Sequence, residues 1–344
     1  MGLPFRDIVE PQRLPWNAIA GQVLAVDGYN AIYQFLATIR QADGQLFSDK
    51  EGRTTSHIMG VFYRTTNLLA AGVRPVWVFD GKPNELKAGT LRSRFQAKER
   101  AEAQWAEALE KGDLDMARRR AAQTSRLTRP MVEETKELLE ALGLPSVQAP
   151  SEGEAQAAHM AAEGQVWAAA SEDYDCLLFG TPRLVRGLAA RQNRDTRSEA
   201  QIIDRAQLLA TLGVSSDELV LVGLLVGTDF NEGAKGFGPK RALKLVQKHL
   251  GWDETLRAAG LEPAEVAPVA ELFRHPEVTE TPAPVFRPIN ERRINEILVD
   301  RHGFSADRVG NAIRRAGAPT GIPRAPPRTA GRQMALDGFG GAAA

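Results

Sequence analysis

VWAAASEDYDC, residues 166–176, sets the apolar run Val166 to Ala170 directly against three carboxylates, Glu172, Asp173 and Asp175. The run has the length and character of a buried strand. Acids that repel one another at its end need a reason: helix caps, salt bridges to basic neighbours, or a bound cation. The arrangement recurs along the chain. Val23-Leu24-Ala25-Val26 ends at Asp27, Val76-Trp77-Val78-Phe79 ends at Asp80, and Pro145-Ser146-Val147-Gln148-Ala149 leads through Pro150 and Ser151 to Glu152 and Glu154. Longer helical patterns separate these runs, and the alternation predicts an α/β fold, a mostly parallel central sheet covered by helices on both faces. In such a sheet the carboxyl ends of the strands share one edge, where ligands bind. Four distant segments would therefore deliver their acids to one place. A fifth, LVLVGLLVGTDF (219–230), reads as an apolar helix that ends at Gly227-Thr228 and presents Asp229.

The 344 residues, 43% hydrophobic and 25% charged, suffice for one large or two ordinary globular domains. A single cysteine, Cys176, excludes a disulfide framework and a cysteine-based zinc site, and fits a reducing, cytoplasmic setting. No stretch of eighteen apolar residues and no basic-then-apolar leader is present, so no membrane attachment is expected. The formal net charge is zero, but its distribution is uneven: Lys235, Lys240, Arg241, Lys244 and Lys248 have no acid among them, and residues 314–332 hold five arginines and no acid.

Between Lys82 and Arg129 the chain is helix-prone, highly charged and poor in large apolar residues. Lys87, Leu91, Arg94 and Lys98 fall on one helical face that begins beside Asp80. A solvated helical hairpin accounts for the composition; its position puts a basic face next to the acids. Residues 262–288 read as a Pro-rich connector, 294–316 as a short helical pair, and the remainder as a tail rich in small residues and proline. No internal repeat is evident.

One Asp after a strand is most simply a helix N-cap. Seven acids at five element ends exceed that explanation, because Glu152 and Glu154 cannot both be caps, nor can Asp173 and Asp175. Packed together without a cation they would raise one another's pKa values and weaken the fold. Oxygen-only ligands point to magnesium, manganese or calcium rather than zinc. Seven carboxylates exceed the needs of one magnesium, and two ions sharing a site form the arrangement that cleaves phosphodiesters. Lys87 and Arg94 could hold the scissile phosphate, or neutralise the acids in the free protein; the two roles are compatible. In GAKGFGPKRALKLVQKH (233–249), Gly236 and Gly238 bracket a turn, Pro239 opens a helix, and Lys240 and Arg241 lie in its first turn, a setting suited to phosphate contact.

Taken with NAIYQFLATIRQ (30–41), TTSHIMGVFYRT (54–65), VWVFDGKPNELK (76–87), APSEGEAQAA (149–158), ASEDYDCLLFG (170–180), VGTDF (226–230) and GFGPKRA (236–242), these motifs make a sequence that resembles the XPG-type structure-specific nucleases, in particular the archaeal flap endonucleases. The resemblance covers nearly the whole chain. It implies a PIN-like nuclease core in one domain, 1–316: an N-terminal part of about 1–98, a helical gateway and arch inserted at about 84–129, and an internal part of about 130–250 with a helix-two-turn-helix at about 227–249. It implies a DNA nuclease that cuts 5′ flaps near the junction of single and double strands, acts as a 5′–3′ exonuclease on nicks and gaps, and serves Okazaki fragment maturation and repair as a monomer. Two Mg²⁺ ions, with Mn²⁺ as substitute, are implied. Asp80, Glu152 and Glu154 match the ligands of the first, with Asp27 acting through water; Asp173, Asp175 and Asp229 match the second group. Lys87 and Arg94 match the basic gateway, Tyr33 a tyrosine that stacks on the nucleotide near the cut, and Thr55 a pocket for a one-nucleotide 3′ flap. The helix-two-turn-helix grips duplex backbone and can hold K⁺. In the tail, 317–344, Gln333, Leu336 and Phe339 resemble a sliding-clamp-binding box, from which Gly340 departs at the second aromatic. Without the resemblance, Tyr33 beside Ile32, Phe35 and Leu36 reads as core, and Cys176 as a small buried residue. The competing function is a non-catalytic, clamp-associated scaffold for DNA junctions.

Overall fold

The structure, a computed structural model, describes residues 3–188 and 200–317. Seven strands, β1 (Gln12–Leu14), β2 (Val23–Asp27), β3 (Arg74–Phe79), β4 (Ser146–Gln148), β5 (Ala168–Ala170), β6 (Arg183–Arg186) and β7 (Ala200–Asp204), form one sheet in the order β1-β7-β6-β5-β2-β3-β4. The five strands from β6 to β4 run parallel, and β7 and β1 add an antiparallel edge. The sheet is therefore mostly parallel, as the alternating pattern predicts.

The central strands are apolar on both sides, as a sheet buried on both faces requires. Ala25, Val76, Val78 and Ala169 face one apolar layer, while Leu24, Val26, Trp77, Phe79, Ala168 and Ala170 face the other. The first layer is built by α6 (Gly153–Ala162), α7 (Asp175–Leu178), α8 (Arg205–Leu212), α9 (Ser216–Val226), α10 (Pro239–Val246), α11 (Trp252–Ala258) and α12 (Pro263–Arg274). The second is built by α1 (Gly28–Thr38), α2 (Ser56–Ala70), α5 (Arg129–Ala141), α13 (Glu291–Asn295), a π-helical turn (Glu296–Arg301) and α14 (Ala306–Gly317). The remaining pair, α3 (Ala88–Glu110) and α4 (Leu114–Ala121), stands apart as the charged hairpin. It buries only small residues, Ala101 and Ala108 on α3 and Ala117 and Ala121 on α4. No single helix among the described residues is long and apolar enough to cross a membrane.

Two expectations need correction. Residues 262–288 are not all connector: Pro263 to Arg274 form α12, with Pro263 at the first helical position and Pro268 inside. Val266, Val269, Ala270 and Phe273 make a buried stripe, and Phe273 packs on Phe179 and Phe230 with ring centroids 4.8 and 5.6 Å apart. That burial outweighs the breaking tendency of Pro268. The 227–249 range is also too narrow for two helices. Within it lie turns and one helix, α10; the preceding helix, α9, closes before Gly227.

Candidate active site

The parallel register settles where the acids go. Asp27 ends β2 level with Val78 of β3, Phe79 pairs with Gln148 of β4, and Val26 with Ala170 of β5. The residues that follow β2, β3, β4 and β5 thus emerge side by side at one sheet edge. Gly81 N donates to Ser151 O at 2.6 Å, which draws Asp80 toward the start of α6. There Gly153 N donates to Asp80 Oδ1 at 2.8 Å, and a Cβ at Gly153 would stand 2.6 Å from that oxygen. Only glycine allows this approach.

Asp27 caps α1, accepting from Asn30 N at 2.9 Å, and its Oδ2 accepts from Ser171 Oγ at 3.2 Å. The same hydroxyl is 3.0 Å from Glu154 Oε1 and accepts from Asp173 N at 3.1 Å. Asp173 Oδ1 accepts from Leu3 N and Asp175 N at 3.1 and 3.3 Å. Asp229 enters from the end of α9, in the same layer as α6 and α7. Gly227 (φ +98°) ends α9, and a turn closed between Thr228 and Asn231 holds Asp229 out toward the group.

Glu154, Asp173 and Asp175 each bring an oxygen within 4.8 Å of the others. Burial, then the charge of neighbouring carboxylates, pushes these acids up: Asp80 to about 7, Asp173 upward, and Glu154 and Asp175 well above the usual range. Burial pushes Asp27 up to about 6 although hydrogen bonds oppose it. Asp175 Oδ1 is buried with no hydrogen-bond partner. An orphaned carboxylate oxygen among mutually repelling, all-oxygen donors fits a hard divalent cation.

Two cations from the hairpin close over the group. Lys87 Nζ lies 2.6 Å from Glu152 Oε2 and 3.5 Å from Asp229 Oδ2, and Arg94 Nη2 reaches both oxygens of Asp229 at 2.5 and 2.6 Å. Burial pulls the Lys87 ammonium down, but Glu152 and Asp229 more than offset it and keep it charged. Lys98, on the same face, sits 4.8 Å over the Tyr33 ring. Tyr33 is 37% exposed, so its reading as core is wrong. The α1 face that holds it turns toward the hairpin, and its neighbours Ile32, Phe35 and Leu36 carry the packing.

The structure thus brings Asp27, Asp80, Glu152, Glu154, Asp173, Asp175, Asp229, Lys87 and Arg94 into one site. Thr55 is elsewhere, buried at the start of α2 with its N–H on Phe47 O at 2.7 Å. Gly236 (φ +77°) and Gly238 frame the turn before α10, where Lys240 and Arg241 are exposed. Arg241 lies over the Phe237 ring at 4.3 Å and donates to Gly236 O at 3.2 Å. Gln333, Leu336 and Phe339 lie outside the described residues. Cys176 is buried and its thiol pushed well up by burial, an inert core residue. Sequence reasoning passed over Ser171, whose hydroxyl ties Asp27, Glu154 and Asp173 together; its place inside SEDYD was the available signal.

Comparison with known proteins agrees with this geometry. Residues 6–101 match the XPG N-terminal domain and residues 143–229 the XPG I-region. The chain is 46% identical over 332 residues to flap endonuclease 1 of Aeropyrum pernix, covering 92% of this chain and 95% of that one. It is 43% identical over 323 residues to flap endonuclease 1 of Pyrococcus furiosus, covering 92% and 94%. Among solved structures, the flap endonuclease-1 of Methanococcus jannaschii superposes with a TM-score of 0.73 at 38% identity, over 92% of this chain and 98% of that one. The catalytic core of Rad2 in complex with DNA substrate shares the fold, with a TM-score of 0.70 at 21% identity over 92% of this chain and 100% of that one.

Proposed function

This chain belongs to the flap endonuclease family, a nuclease hydrolase acting on DNA, and on that premise we propose that it hydrolyses the phosphodiester near the base of 5′ flaps with two bound Mg²⁺ ions. The observation that carries the proposal is the row of acids at four adjacent strand ends, with a buried unpartnered oxygen on Asp175 and two cations closed over them. Asp80, Glu152 and Glu154 would hold one ion, with Asp27 acting through water, and Asp173, Asp175 and Asp229 the second; Mn²⁺ can replace Mg²⁺. Bound divalent ions in such a site make hydroxide available at neutral pH and stabilise the attacking and leaving oxygens.

The chain's own residues supply the rest. Lys87 and Arg94, salt-bridged to Glu152 and Asp229 in the free protein, exchange those carboxylates for the scissile phosphate and offset its developing charge. Tyr33, half-exposed under the hairpin, stacks on the nucleotide at the cut. The hairpin α3–α4 is the gateway and arch for the 5′ strand. Gly236, Gly238, Lys240 and Arg241 contact duplex phosphates without reading sequence, and the same turn takes K⁺. Thr55 serves the 3′-flap pocket. A monomer acting in the cytoplasm, the protein also works as a 5′–3′ exonuclease on nicks and gaps in Okazaki fragment maturation and repair. The Gln333, Leu336 and Phe339 box docks it on a sliding clamp.

An end-labelled 5′-flap duplex, a plain duplex and a single strand, each incubated with Mg²⁺ or with chelator, test the reading. Mg²⁺-dependent cutting confined to the flap base is expected. Tight flap binding with no cutting under any divalent ion would instead make the protein a junction-binding scaffold.

A further inference from the structure

Between α1 and α2, residues 40–55 form a loop closed by two antiparallel bridges, Arg40 with Leu46 and Ser48 with Thr54. One part of it lies against the arch. Trp105 Nε1 donates to Asp43 O at 3.0 Å, Arg40 Nη2 to Ser125 Oγ at 3.1 Å, and a Cβ at Gly44 (φ +89°) would stand 2.6 Å from that of Ala121. The other part carries Asp49. Its Oδ1 accepts from Glu51 N and Arg53 N, each at 2.9 Å; its Oδ2 accepts from Arg53 Nε at 2.7 Å and meets His302 Nδ1 at 2.8 Å.

His302 follows the π-helical turn, and its side chain is 1% exposed. Its Nε2 is 2.6 Å from Glu134 Oε1 on α5, and the second Glu134 oxygen is 3.0 Å from Nε2 of buried His57 on α2. Burial pushes both carboxylates up. Hydrogen bonds from Arg53 and His302 at Asp49, and from His57 and His302 at Glu134, outweigh it and hold both below the usual range. The His302 ring is thus gripped by a carboxylate oxygen at each of its two nitrogens. Arg301 stands 3.7 Å from the same Glu134 oxygen and binds Glu137 at 2.7 Å; Arg53 Nη2 donates to Arg301 O at 2.6 Å. The arch helices bury only four alanines of their own, so the loop contacts join the Arg94–Asp229 ion pair and the Lys98–Tyr33 contact in holding them to the body.

We propose that His302 is a positioning residue of the nuclease: clamped between Asp49 and Glu134, it locks the 40–55 loop to the body and through that loop sets the arch over the carboxylates. Its activity readout rests on the flap-cutting function proposed above; its structural readout does not. The experiment is amide hydrogen exchange over residues 88–121 in the full chain, compared among wild type, His302→Gln, Asp49→Asn and the double variant, with flap-cutting kinetics in parallel. In Asp49→Asn the amide oxygen can still serve the loop N–H groups, while its NH₂ faces Arg53 and His302, so the clamp opens without a cavity in the core. Exchange in the arch is expected to rise about tenfold in each variant while β2 and β3 keep their protection. The kcat on a long 5′ flap falls about tenfold with KM within about threefold, and the double variant is no worse than either single one. Arch exchange within about twofold of wild type in Asp49→Asn overturns the proposal, even if His302→Gln fails to fold. If the wild type cuts no flap, the flap-cutting function fails and exchange alone still decides the clamp.

Discussion

Asp175 is a buried carboxylate pushed well up by burial and by Asp173, with one oxygen unpartnered. The isosteric change Asp175→Asn removes the charge without opening a cavity. Flap affinity is expected to stay within about threefold, while cutting at saturating Mg²⁺ slows at least about a hundredfold, the loss of some 3 kcal/mol of transition-state stabilisation; titration binding and single-turnover cleavage check the two halves. Lys87→Ala is expected to lower the single-turnover rate by at least about tenfold and affinity by less, since it withdraws one cation from the developing charge. Cleavage and binding reduced in equal measure would make Lys87 a binding residue only. At this scale the sequence was legible in its charges. Each of the three explanations for crowded acids is present somewhere: Asp27 does cap α1, Glu152 and Asp229 do bind Lys87 and Arg94, and the orphaned Asp175 oxygen leaves room for a cation. Ser171 escaped notice because a hydroxyl carries no charge pattern, and Gly153 because its role is a close approach to Asp80, distant in sequence.

Elements were legible in proportion to their burial. Strands β2, β3 and β5 are apolar throughout their inner residues and announced themselves; β1, β6 and β7 carry Gln12, Arg13, Arg183, Arg186 and Gln201 and did not. Helix α12 was hidden by its prolines, because its support comes from Phe179 and Phe230, far away in sequence. The turn before α10 was legible because Gly-Phe-Gly-Pro has few other local solutions. That element supports its own prediction. Lys240 is exposed in the first turn of α10, at the positive end of the helix dipole, so Lys240→Ala should weaken duplex binding uniformly across sequences. The slope of log affinity against log salt should fall by about one, the share of a single phosphate contact. Anisotropy titrations at several salt concentrations measure it, and an unchanged slope would remove Lys240 from the interface. Cutting at saturating enzyme is expected to be unaffected, which separates this surface from Lys87 and Arg94.

At the scale of the whole molecule, the carboxylate row is a cost to folding that a bound cation would relieve, and the cost has a pH dependence whose sign is fixed. Asp27 and Asp80, ordinary at 3.8 in an unfolded chain, are pushed up by burial to about 6 and about 7 in the fold. Between those limits the folded state holds protons that the unfolded state has released, so stability declines as pH rises from about 4 through about 7. A divalent cation binds the ionised form and opposes the same repulsion, so its stabilising effect must grow over the same interval. Thermal unfolding of the full chain in chelator is therefore expected to show Tm falling from pH 5 to pH 8, other titrating groups being common to both conditions. The increment in Tm on adding Mg²⁺ should be small at pH 5 and largest at pH 8. Asp175→Asn should raise Tm in chelator at pH 8 and shrink the Mg²⁺ increment, because it removes both the repulsion and a ligand. An increment independent of pH would mean that the ion binds away from these carboxylates, and would separate the crowding of acids at the sheet edge from metal binding.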